Sequence, residues 1–386
     1  MKPDFEFREV EIYLDNAATT LIDPEVVEVM RPYLEERFGN PETVYRLGRE
    51  ANTAVKDSRA VISDIIKCKP EELFFTSGGT ESNNWAIKGV LEPRGVIVSS
   101  VEHASVLEPA NWVSRDLPLF KVPVDEYGIV DLEALKSALK NGNYGLVSIQ
   151  YANNEIGTLQ PVREIADLCQ DYGVLFHCDA VQAFGKIDFD VEDIGADMIS
   201  FSAHKLHGPM GIGALYVKGG TEVGPLLHGG GQEYGMRSGT LAVPEIVGFA
   251  KAAEVAIAAI PEQMPRLMRI TEWLAGQICC SFRGAKRNGH PTQRLPNIVS
   301  VTLPGMETEV ICGIMCTKFH MCLSAGAACS TEKRASHVLE ALGRNPNEAL
   351  STLRFSLSKF NTDREMKVVF GRLQAAHKEA LARSLF

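Results

Sequence analysis

The sequence predicts an α/β protein: a large domain on a mainly parallel mixed sheet, with a smaller α/β domain toward the C-terminus. Three observations carry this. Short apolar runs of strand length alternate with longer, helix-periodic segments from about residue 70 to 220, the pattern of a parallel sheet covered on both faces. At 386 residues the chain is long enough for two cores. Beyond about residue 262 strands and helices continue in shorter alternation.

The elements follow in order. Asp23 is placed to cap a first helix with Pro24 at its first position, Val27, Met30 and Leu34 mark its apolar face, and Gly39 ends it. A second helix runs through Leu47, Ala51, Val55, Ile62 and Ile66. Strands are expected at 73–76, 96–99, 146–149, 174–177 and 198–201, with a helix over 162–172. Residues 211–217 form a further strand, close enough to the preceding one to pair antiparallel with it. From about Pro244 a long helix leads out of the sheet domain, and 298–301 and 353–356 are strands of the smaller one.

Composition narrows the function classes. A formal net charge of −10 argues against nucleic acid or an anionic membrane as main partner. No apolar run approaches the roughly 18 residues that span a bilayer, and the opening Met-Lys-Pro-Asp-Phe lacks the apolar core of a secretory signal. A cytoplasmic protein is expected. Nine scattered cysteines do not make a disulfide framework. Cys312 and Cys316 share helical spacing, with Cys322 and Cys329 following, but no CxxC or paired histidine supports a metal, so none is expected. Most of the cysteines, Cys279 and Cys280 included, read as buried and inert.

Chemistry gathers at the strand ends. Lys205 lies in Ser202-Ala-His-Lys-Leu-His-Gly-Pro209, after Asp179 in Phe176-His-Cys-Asp-Ala-Val-Gln182. Pyridoxal phosphate needs both groups: an amine to hold its aldehyde as a Schiff base and an acid for its ring nitrogen. Thr76-Ser-Gly-Gly79-Thr80 turns from a strand into a helix, where free N–H groups and glycines admit a phosphate. It also reads as an ordinary capped turn. His103 follows the 96–99 strand and should sit at the carboxyl edge of the sheet, where open α/β sheets bind ligands. Asn153-Asn-Glu-Ile-Gly157 is either turn chemistry or a set of polar groups for a small ligand.

With these segments assembled, the chain resembles the NifS/IscS-type cysteine desulfurases, pyridoxal-phosphate enzymes of the aspartate aminotransferase fold. The matching runs are Tyr13-Leu-Asp-Asn-Ala-Ala-Thr-Thr20, Gly39-Asn-Pro41, Thr76-Ser-Gly-Gly-Thr-Glu81, Glu102-His103, Asn153-Asn-Glu-Ile-Gly157, Asp179-Ala-Val-Gln182, Ser202 to Pro209, Arg237-Ser-Gly-Thr240 and Ser324-Ala-Gly-Ala-Ala-Cys329. The resemblance implies a large cofactor-binding domain over 15–261 and a small domain from 1–14 and 262–386.

It also implies roles. Lys205 would hold the cofactor, Asp179 its ring nitrogen and Gln182 its ring hydroxyl, while His103 would stack on the ring and move protons. Gly79, Thr80, Ser202 and His204 would bind the phosphate, and Thr240 would reach the phosphate of a second subunit, giving a homodimer. Asn154 and Arg354 would take the substrate carboxylate, a task suited to the guanidinium fork. Cys329 would be the nucleophile, attacking the sulfur of L-cysteine to leave alanine and a persulfide passed to an acceptor such as an iron–sulfur scaffold protein. Two positions depart from the family's pattern: Tyr45 stands where His is usual, and Ala-Gly-Ala-Ala precedes Cys329 where Ser-Gly-Ser-Ala is common. The alternatives are a selenocysteine lyase or another lyase or aminotransferase using the same cofactor, and a non-catalytic sulfur-relay scaffold.

Overall fold

The computed structural model describes residues 12–92, 94–325 and 335–383. The chain opens with β1 (Ile12–Tyr13), α1 (Pro24–Glu35), α2 (Arg46–Ile66), β2 (Leu73–Thr76) and α3 (Gly79–Lys88). It continues through β3 (Gly95–Ser99), α4 (Ala104–Val113), β4 (Leu119–Val122), α5 (Leu132–Asn141), β5 (Tyr144–Ser148), α6 (Val162–Tyr172) and β6 (Leu175–Asp179). A short α7 (Val191–Ile194) precedes β7 (Met198–Ser202) and β8 (Gly213–Val217). Together seven strands form one sheet in the order β2-β8-β7-β6-β5-β3-β4. Only β8 runs against the others, antiparallel to both β7 and β2.

Alternation along each strand fills both faces of this sheet. On β3, Val96 and Val98 face one cluster, with Trp85 and Leu146, while Ile97 faces the other. On β7, Met198 joins the first cluster and Ile199 and Phe201 the second. The side-chain period of two on a doubly covered sheet requires such near-continuous apolar runs.

The rest of the chain is tied in by α8 (Val243–Ser281), whose first half packs in the large core and whose second half packs in another. After it come β9 (Lys286–Arg287), β10 (Ile298–Thr302), α9 (Thr308–Phe319), β11 (Met321–Cys322) and β12 (Ser324–Ala325). Last are α10 (His337–Ala341), α11 (Pro346–Leu350), β13 (Thr352–Ser356) and α12 (Asp363–Arg383). β12, β13, β10 and β9 make an antiparallel sheet, and β1 pairs with β11. Residues 261 and 262 lie within the unbroken α8.

Two local expectations are corrected. α1 is capped by Asp23, which accepts from the Glu25 N–H, with Pro24 first. However, its buried stripe is Val26 and Met30; Val27 and Leu34 are exposed, and the helix stops at Glu35 rather than Gly39. The reason is the partner: α1 lies on α8, where Gly248 lacks a side chain and lets Met30 approach so closely that a Cβ would stand 2.6 Å from its sulfur. The second concerns cysteines. Cys169 and Cys178 are buried, but Cys280 and Cys316 are exposed, because apolar sequence neighbours on a helix need not share its buried face. The edge strand β4 was not foreseen; its half-exposed Leu-Phe-Lys-Val lacks the apolar run that marks central strands. Among the described residues no helix is long and apolar enough to cross a membrane.

Candidate active site

Five parallel strands deliver polar residues to one edge of the sheet. β2 leads into Gly79 and Thr80, β3 into His103, β5 into Gln150 and Asn154, β6 into Asp179 and Gln182, and β7 into Ser202, His204 and Lys205. All of these line one cavity of about 330 Å³, closed by Arg354 from β13 and by Ala17 and Ala18 from the N-terminal segment. This is the carboxyl edge, where strand ends leave helices and turns free to meet a ligand.

Lys205 stands in the turn after β7, and its Nζ donates to the carbonyls of Ala17 at 2.6 Å and Ala18 at 2.7 Å. Those carbonyls are fixed in turn, because the Ala17 N–H donates to Ser356 Oγ at 2.8 Å. Gln182 also reaches this stretch: its Nε2 donates to Ala17 O at 2.9 Å.

Asp179 is buried at the end of β6, and its two recorded donors are neutral: the Asn83 amide at 2.8 Å and the Val181 N–H at 3.0 Å. A carboxylate so placed calls for a cationic partner from a ligand. Asn83 bridges to Ser105 Oγ as well, at 2.8 Å, and its own Oδ1 is buried with no hydrogen-bond partner among the described residues. Ser105 meets His103: the Ser105 N–H donates to Nδ1 at 3.1 Å, so the neutral ring carries its proton on Nε2. Burial lowers the His103 pKa; Asp179 opposes this, and Lys205 and His337 reinforce it. The imidazole is therefore a neutral base within the charge field of the lysine and the aspartate.

A phosphate cradle is built from backbone. Gly78 has φ +148°, a left-handed conformation that favours glycine. At Gly79 a Cβ would stand 2.7 Å from Val181 Cγ2. The first N–H groups of α3, a helix of 10 residues, have no intrahelical acceptor and open beside Thr80 and Ser202. His204 donates or accepts at Thr19 Oγ1 at 3.1 Å, and burial, with Lys205 and Lys186, lowers its pKa to about 4. Glu81 points away: it accepts from the Ser77 N–H at 2.8 Å and is bridged by Arg237, which keeps its charge from opposing an anion. Gly79, Thr80, Ser202 and His204, on which the resemblance places the phosphate, thus all line the cavity. Thr240 does not join them; it is exposed, outside the cavity.

On the opposite wall Arg354 donates to Asn154 O at 3.1 Å and to Asp15 Oδ1 at 2.6 Å. Asn153 proves to be turn chemistry, its Oδ1 accepting from the N–H groups of Glu155 and Ile156. Cys329 lies outside the described residues. Sequence reasoning missed Asn83, Ser105, Gln150 and Asp15 as site residues. Asn83 could have been found from its spacing, one helical turn beyond Gly79 and hence on the same face of α3.

The cavity fits pyridoxal phosphate: an amine, a buried carboxylate held by neutral donors and a side-chain-free cradle at a helix start line it together. Comparison with known proteins agrees. The model of the aminotransferase class-V family matches residues 12–369. A protein named cysteine desulfurase IscS from Dictyoglomus turgidum is 40% identical over 376 residues, covering 94% of each chain. The cysteine desulfurase IscS of Methanosarcina thermophila is 41% identical over 370 residues, 93% of this chain and 91% of that one. Among solved structures, a NifS-like protein superposes with TM-score 0.89 at 36% identity, covering 96% of this chain and 100% of that one. SspA in complex with cysteine does so with TM-score 0.79 at 34% identity, over 92% of this chain and 100% of SspA.

Proposed function

The chain belongs to the aminotransferase class-V family, and from that premise we propose that it is a cysteine desulfurase, taking sulfur from L-cysteine and leaving L-alanine. The observation that carries the reading is the convergence of Lys205, Asp179, His103 and Arg354 on one cavity. The family's use of pyridoxal phosphate supports assigning that cofactor to it. When bound, the cofactor supplies an electron sink that acidifies the substrate's α-carbon and weakens its Cβ–S bond.

The protein's own residues do the rest. Lys205 would hold the cofactor through its amine, and the same amine would take and return the substrate's α-proton. Asp179 keeps a positive ring nitrogen in place, with Asn83 fixing the carboxylate's orientation. Gly79, Thr80, Ser202 and His204 bind the phosphate, and Gln182 the ring hydroxyl. Arg354 and Asn154 seat the substrate carboxylate, which fixes where the thiol end points. His103, neutral at physiological pH, relieves the substrate thiol of its proton.

Cys329 then attacks as the thiolate. The new S–S bond forms as the Cβ–S bond breaks, the electron pair passes to carbon, and Cβ takes up a proton. The products are alanine and a persulfide on Cys329. An acceptor protein with a free thiol or a vacant scaffold site removes the sulfur. The exposed Thr240 serves the phosphate of a second copy, so the working unit is a homodimer, and it acts in the cytoplasm. Supplying the protein with pyridoxal phosphate and L-cysteine, and measuring alanine and sulfide under a reductant, tests the reading. Equal amounts of both are expected; pyruvate or a transaminated product in place of alanine would overturn it.

A further inference from the structure

Beside the cavity lies a lysine that the reaction above does not use. Lys186 lies four residues beyond Gln182 in the turns that follow β6, and its Nζ donates to the Gln182 backbone carbonyl at 2.9 Å and to its side-chain Oε1 at 3.0 Å. Resting on the assignment of pyridoxal phosphate to this cavity, we propose that Lys186 is a positioning residue that locks the Gln182 carboxamide with its N–H end toward the cofactor's ring hydroxyl.

A carboxamide has an accepting end and a donating end of nearly equal size, so its orientation is set only by its neighbours. The Lys186 Nζ donates to the side-chain atom beside it, which is the carboxamide oxygen. A backbone carbonyl only accepts, so the atom beside Ala17 O, at 2.9 Å, must be the nitrogen. Gln182 is thereby fixed from both ends, and its second N–H is left for a ligand in the cavity it lines. Remove Lys186 and only one neighbour still orients the amide.

The lysine's surroundings make sense only as a local device. Both recorded acceptors of its Nζ are neutral, and it is desolvated beside Lys205, which together lower its pKa to about 7. Its other recorded electrostatic neighbours, His204 and His207, are also depressed to about 4 and add no counter-charge. A half-buried amine with no carboxylate partner among the described residues destabilises a fold more than it supports it. Behind it, a second cavity of about 70 Å³ is lined by Lys186, Lys205, Gln263 and Asn297. That space would admit the larger guanidinium of an arginine.

The test is a double-mutant cycle read as the Kd for pyridoxal phosphate, followed by quenching of tryptophan fluorescence on the cofactor-free protein. Lys186→Met is expected to weaken binding about tenfold, the loss of one hydrogen bond. Lys186→Arg, which keeps the donor, restores most of it. In a Gln182→Leu background Lys186→Met adds nothing further, because the two residues act as one. Should the Met variant not fold, Lys186→Asn, polar but too short to reach the amide, serves the same cycle. Equal losses in both backgrounds, with a wild type that binds the cofactor, would overturn this inference alone. A wild type that does not bind it would overturn the cofactor assignment and this inference with it.

Discussion

Arg354 and Asp15 are 2.6 Å apart, and this ion pair joins β13 to the segment that carries Ala17 and Ala18. The pair matters because Asp15 offers Arg354 the same group that an amino-acid substrate would offer. Arg354 is also held by Asn154 O, so its position does not depend on Asp15 alone.

A first prediction follows. Arg354→Lys replaces a planar fork by a single point donor and loses about 1.5–3 kcal/mol of charged hydrogen bonding. The KM for L-cysteine should rise by roughly ten- to a hundredfold while the visible spectrum of the loaded protein is unchanged. Asp15→Asn removes the competing charge and keeps an acceptor, so KM should fall. Steady-state kinetics on both variants decide it; a fall in KM for Arg354→Lys contradicts the assignment.

Asp179 yields a second. Asp179→Asn keeps the shape of the group and discards its charge, at a site where the recorded donors are neutral. Losing one preorganised electrostatic partner costs roughly 10²–10³ in kcat, so turnover should fall by that much while Lys205 still forms its coloured adduct. Undiminished turnover would show that the carboxylate has no catalytic role.

The cradle gives a third. A methyl group at Gly79 would stand 2.7 Å from Val181 Cγ2, and such overpacking costs about 1–3 kcal/mol. Gly79→Ala should therefore weaken binding of pyridoxal phosphate about ten- to a hundredfold, measured by equilibrium titration. Gly79→Ala combined with Val181→Ala should recover part of that loss, since the clash is removed.

Buried Glu102 gives a fourth, on stability. Burial, then Asp179, raises its pKa to about 8 although Ser99 and the Gln150 N–H groups stabilise the charge. The folded state thus holds a proton that the unfolded chain releases at its ordinary value of 4.5. The resulting stabilisation is present in full below about pH 4.5 and is lost as pH rises to about 8. Glu102→Gln, permanently neutral, lacks this loss. Melting temperatures across that window should show the variant gaining on the wild type as pH rises; parallel curves contradict the shift.

The sheet and its polar edge were legible because central strands must be apolar on both faces and turns must be polar. Lys205, Asp179, Gln182, His103, Gly79 and Thr80 each sit directly after such a run, and all reach the cavity. What could not be read depended on partners distant in sequence. The buried side of α1 was set by Gly248 on α8, and the holder of Arg354 by Asp15, over three hundred residues earlier. Thr240 carries no local signal for the cavity and does not line it. Lys186 was missed for a different reason: it sits in the turns beyond the strand end, where no strand or helix pattern marks a site residue, although its partner Gln182 is only four residues away.

Cys329 is proposed to receive sulfur from L-cysteine. The most direct measurement is peptide mass analysis of the protein loaded with pyridoxal phosphate, after one turnover of L-cysteine without reductant. A gain of one sulfur atom on the peptide carrying Cys329, with an equal amount of alanine, is expected, and neither in Cys329→Ala. Sulfur on a different cysteine, or undiminished alanine from Cys329→Ala, would contradict it.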